Sequence, residues 1–138
     1  MIALNILMRF LHIISVITLL GGVLAWRLGV ASASASLAPE TSARIGNAFS
    51  AAWRPIVIYA VIGILVSGTY NFLNKTGVTP AWQAVFGIKF LLALHVFAVT
   101  IIAFRPDNPR RTRQLTGVMV SGVIIVILSA VLRWLSTP

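Results

Sequence analysis

The chain has 138 residues, 59% hydrophobic and 9% charged, with 11 basic side chains against 2 acidic ones and a net charge of +9. So little polar surface cannot cover a water-soluble core, and lipid is the expected solvent for most of the chain. The basic residues stand singly or in loops between long apolar runs, a pattern that sets membrane orientation and meets anionic head groups and argues against nucleic acid. The lack of cysteine excludes disulfides, thiolate zinc sites and Cys-ligated iron-sulfur clusters.

The first element is an apolar run from Ile2 to Gly29, long enough to cross about 30 Å of hydrocarbon. A basic residue, an apolar core and the tract Ala31-Ser32-Ala33-Ser34-Ala35 imitate a cleavage signal there. The run from Phe10 to Trp26 is longer than a secretory core, so the segment is expected to stay as a helix. The Ala-Ser tract reads equally as an extension of that helix or as a flexible joint. Next, Ile45, Ala48, Phe49, Ala52 and Trp53 recur at helical spacing opposite Arg44 and Asn47, which predicts a short amphipathic helix on the membrane interface. The second span runs from Pro55 to Leu73, with Pro55 in a first-turn position. Thr79 is a predicted N-cap and Pro80 a first-turn residue for the third span, Ala81 to Phe104, which Pro106 and Pro109 forbid from continuing. The fourth span covers Leu115 to Leu135. Trp26, Trp53, Trp82 and Trp134 fall one per span near its ends, where interfacial indoles are expected.

These elements predict a single all-α domain over residues 1–138: an integral membrane four-helix bundle of up-down topology, with the amphipathic helix in its first loop. Arg27, Arg44, Arg54, Arg105, Arg110, Arg111 and Arg113 lie on the side of loops one and three, against Arg9, Lys75, Lys89 and Arg133 on the other. The positive-inside rule then places both termini outside the cytoplasm of a bacterial-type inner or plasma membrane.

Chemistry concentrates on two histidines, His12 in the first span and His95 in the third. An ionisable side chain at that depth normally faces the bundle interior and marks a site. The first and third helices of an up-down bundle are parallel and diagonal, and the two residues differ in depth by at most roughly 6 Å. Two imidazoles converging across the core would suit haem b, one on each face of the macrocycle. Ser15, Leu19, Gly22, Trp26 and Gly29 share the face of His12, so Ser15 and Gly22 are expected cavity walls, although small residues equally serve helix packing. Arg9 and Lys89 lie outward of the histidines and would meet the propionates, or else snorkel to head groups. No span holds a carboxylate, since Glu40 and Asp107 are in loops, so a carboxylate-based ion pathway has nothing to run on. Copper is the alternative cofactor, held by Met8 and His12 with Met1 or Met119.

The segment Arg9-Phe-Leu-His-Ile-Ile-Ser-Val-Ile-Thr-Leu-Leu-Gly-Gly resembles the first-helix pattern of the CopD-type copper-resistance membrane proteins and the HemJ-type protoporphyrinogen oxidases. Arg54-Pro55, Ile88-Lys89-Phe90-Leu91 and a short basic loop into helix four have counterparts there, so the likeness extends over nearly the whole chain. It implies a compact four-helix protein with a functional first-helix histidine, His12, and a helix-three lysine, Lys89. The HemJ-type likeness further implies bound haem b and oxidation of a porphyrinogen. Ile17-Thr18-Leu19 stand where the CopD-type pattern often has an indole, and His95 has no counterpart in either pattern. The expected function is haem b-dependent electron transfer, or oxidation of a porphyrin or quinone-like substrate, with a membrane redox partner. The alternatives are a copper-handling transport module and a cofactor-free accessory subunit, the chain standing as a homo-oligomer or inside a larger complex.

Overall fold

The computed structural model describes residues 1–136, and the described residues are helices and short connections. The helices are α1 (Ile2–Leu24), α2 (Ala31–Ser34), α3 (Pro39–Leu73), α4 (Pro80–Ala103) and α5 (Arg111–Trp134), with a π-helical turn over Ala25–Val30 joining α1 to α2. Because that turn does not interrupt the rod, Ile2–Ser34 forms one span of 33 residues, and the four candidate spans are long and apolar enough to cross a membrane. The protein is a multi-pass membrane protein.

The Ala-Ser tract therefore extends the first helix, and Ser34 secures the extension by donating to the Val30 carbonyl at 2.7 Å. The amphipathic segment is helical as expected but not separate, because α3 runs unbroken for 35 residues with Pro55 in its interior. Proline cannot donate to the Ala51 carbonyl, and in lipid that loss is tolerated only where the surroundings hold the helix together. Here the face of Gly46, Phe49, Ser50 and Trp53 packs inward, while Ile45, Ala48 and Ala52 of the predicted apolar face stay exposed: Gly46 and Ser50 are buried, and the Phe49 ring lies 5.7 Å from Trp26 and 6.0 Å from Phe104. Tertiary burial of residues 46–53 thus carries α3 past the proline, whereas local rules alone would begin it there.

Two hairpin-like pairs build the bundle. α1 packs along α3, α4 packs along α5, the seams between the pairs are sparse, and α1 and α4 stand across the diagonal. At Gly22 an added Cβ would collide with the Trp53 indole, so this glycine admits an aromatic ring between α1 and α3 and is not a cavity wall. Gly122 likewise admits Leu20 between α5 and α1. Leu19, Val23, Val57, Leu115 and Val118 fill the centre, each at most 2% exposed.

Aromatic layers close both ends. Near the chain termini, Phe72, Trp82, Phe86 and Phe90 stack in sequence, with Trp82 and Phe86 at 5.1 Å and 7°. Trp82 donates to Ser136 Oγ at 3.1 Å, and Thr79 caps α4 by accepting from Trp82 N at 3.2 Å. Only Trp134 behaves as an exposed interfacial indole, at 74% exposure, while Trp26 and Trp82 are buried and Trp53 half-buried. Indoles near helix ends found internal neighbours, so three of the four are plugs of the bundle.

Candidate functional site

His12 sits roughly 15 Å along α1 from Ile2, half-buried against α3. Its Nδ1 lies 3.1 Å from Ser67 Oγ. Ser67 has one hydroxyl proton, and its Oγ lies 2.5 Å from the Gly63 carbonyl, to which it donates. With that proton committed, Oγ accepts from His12, which fixes the proton on Nδ1 and leaves Nε2 as an unprotonated lone pair. Ser67 occupies the α3 core because Gly63 gives α1 room to approach. A Cβ at Gly63 would collide with the Ser15 hydroxyl, and one at Gly68 would stand 3.6 Å from His12 Cε1. Ser15, buried one turn from His12, is therefore packed against α3 and lines no cavity at His12.

Lys89 enters from α4, half-buried. Among the described residues it has no hydrogen-bond or ion-pair partner; Glu40, which the structure places in the first turn of α3 and not in a loop, lies at that helix's opposite end, and Asp107 is in the connection between α4 and α5. Outward of His12 and Lys89, Tyr70 donates to Asn5 Oδ1 at 2.8 Å, tying α3 to the start of α1.

His95 is not part of this cluster. The buried face of α4 is defined by Trp82, Val96, Phe97, Thr100 and Ala103, and His95 lies roughly 140° from its centre on a helical wheel. It is exposed. The two histidines do not share an azimuth, so a haem clasped between His12 and His95 of one chain is not formed by this bundle. Of the two α4 side chains weighed from the sequence, the structure turns Lys89 inward and His95 outward. Arg9 is exposed as well, and so is not a partner for a buried group.

Met8 is half-buried one turn before His12, Met1 is wholly exposed, and Met119 lines a groove between α1 and α5 with Leu20 and Val126. Among the described residues no three His, Cys, Asp or Glu side chains group to hold a metal ion. The α1–α5 groove encloses about 210 Å³, and a second beside Ser15 and Tyr59 about 200 Å³. Both are smaller than the several hundred Å³ of a typical cofactor pocket.

Sequence reasoning did not single out Ser67 as the orienting partner, although its place on the Tyr59, Gly63, Ser67, Tyr70, Asn74 face was visible. Arg111 was counted only for orientation. It is 6% exposed, donates to the Ala103, Arg105 and Asn47 oxygens at 3.1, 2.8 and 3.1 Å, and lies 5.0 Å above the Trp26 ring. Set against family models, curated proteins and solved structures, the chain matches none.

Proposed function

We propose that this chain is a tetrapyrrole-binding membrane redox protein whose working group is His12, with Lys89 as the cation for a tetrapyrrole carboxylate. The observation that supports it most directly is the Ser67-oriented imidazole: it offers Nε2 inside a bundle that also holds the half-buried, unpaired Lys89 ammonium, with Glu40 at the far end of α3. Second-sphere orientation of this kind is what metal-ligating histidines require. The donor set suits haem b with a single axial imidazole, and equally a porphyrin or quinone-like substrate that accepts from or donates to the ring. It does not suit a bis-histidine haem within one chain. A macrocycle needs more room than the grooves provide, and the sparse α3–α4 seam is where the two helix pairs can part to admit a planar molecule.

The basic residues support cytoplasmic exposure of the loop end, with both termini on the opposite face of a bacterial-type membrane. That places the His12 cluster in the outer half of the bilayer, in reach of a redox partner or lipid-soluble substrate.

Absorption spectra of detergent-purified protein from haem-replete cells test the reading. The expected result is a Soret band with reduced α and β bands, lost in His12→Ala and retained in His95→Leu. If the wild type is colourless and does not quench added protoporphyrin, or if only His95→Leu removes the bands, the proposal fails.

A further inference from the structure

His95 poses a separate problem. It lies roughly 12 Å from the nearer end of α4, too deep for a short imidazole to reach water, and it faces the hydrocarbon. An imidazole N–H in lipid without an acceptor is strongly disfavoured, and ionisable residues in spans are almost always covered by protein.

The residues around it are regularly spaced. Ala84, Ile88, Leu91, His95, Ala98 and Ile102 are all exposed and recur at alternating intervals of four and three along one stripe of α4. In heptad terms Ile88, His95 and Ile102 take one core position, and Ala84, Leu91 and Ala98 the other. β-Branched residues at the first position, with leucine at the second, favour a parallel two-stranded coil, and a single polar residue at the first position selects register and partner number. The two alanines let helix backbones approach closely in lipid.

We propose that this stripe is the interface of a parallel homodimer, with the two His95 side chains meeting at the two-fold axis. Copies of one membrane protein share orientation and depth, so a two-fold axis along the membrane normal brings each stripe residue to its own counterpart. Neutral imidazole carries one donor and one acceptor nitrogen on opposite sides of the ring, so across the axis one His95 donates its N–H to the other in a single bond. This self-complementarity selects a second copy over an unrelated subunit. The inference stands apart from the His12 reading, because the stripe lies on the opposite side of α4 from Lys89.

The chain contains no cysteine, which permits a direct test in native membranes. Leu91→Cys and Ala98→Cys are expected to give an oxidant-induced band at twice the chain mass. Ile17→Cys on α1 and Val123→Cys on α5, exposed at 59% and 56%, are expected to give none. In liposomes, dimer affinity counted by single-molecule photobleaching is expected to fall roughly threefold to tenfold in His95→Leu and to be kept in His95→Asn. Absence of the band at 91 and 98, equal bands from the control faces, a crosslinked species of another mass, or undiminished dimerisation of His95→Leu would each overturn the interface.

Discussion

Two cations enter this bundle from opposite ends and meet opposite fates. At the loop end, the Arg111 guanidinium is wrapped by the exit of α4. It donates to Ala103 and Arg105 carbonyls, shares Asn47 with the Asp107 amide, and lies over Trp26. Asn108 adds a bond to the Ala103 carbonyl at 3.1 Å, so the carbonyls that an α-helix leaves unpaired at its C-terminus are satisfied by side chains. Toward the other end, Lys89 is half-buried and, among the described residues, unpartnered. A charge with its bonds made is part of the scaffold. A desolvated charge without them works against stability, and such groups collect where a ligand is to be bound.

If this contrast holds, the largest effect belongs to Arg111→Leu. Three charge-assisted bonds vanish and the last turn of α4 loses its donors, so unfolding in mixed detergent is expected to become easier by about 3 kcal/mol or more. A loss under about 1 kcal/mol would break the contrast at its scaffold end. Lys89→Met is expected to act in the other direction, raising stability by about 0.5–2 kcal/mol while weakening tetrapyrrole binding. Destabilisation there would show that Lys89 is structural. Smallest in stability is Ser67→Ala, about 1 kcal/mol, but it frees the His12 ring, and haem affinity is expected to drop about tenfold. An unchanged titration curve would remove Ser67 from the site and sharpen the roles left to His12 and Lys89.

The spans were legible because roughly twenty apolar residues in a row have few other uses, and turn chemistry at Thr79, Pro80, Pro106 and Pro109 marked the ends of α4. The start of α3 was not legible, since Pro55 obeys local rules for a first turn and only packing of Phe49 and Gly46 against Trp26 overrides them. Depth of the histidines could be counted along the helices, but azimuth could not. Which face of α4 turns inward depends on the summed burial of Trp82, Val96, Phe97 and Thr100, and a span that is apolar all round gives little sign of it. The pairing of His12 with Ser67 rests on a hydroxyl at 3.1 Å, and nothing in residue spacing announces a bond between two helices.

The π-helical turn at Ala25–Val30 acts on everything beyond it. Up to Trp26, the second residue of the turn, the wheel drawn from His12 holds, with Ser15, Leu19, Gly22 and Trp26 all buried; later in the turn Gly29 is exposed, and beyond it Ser34 is buried instead. One residue too many in a single turn has rephased the helix by about 100°. Within the turn Arg27 donates to Thr116 Oγ1 at 3.1 Å, so the bulge couples the first span to the fourth near the loop surface. Removing one residue from this turn would swing the last turn of the rod, Ala31–Ser34, like a key in a lock, carrying Ser34 off its buried face while leaving the His12 level undisturbed.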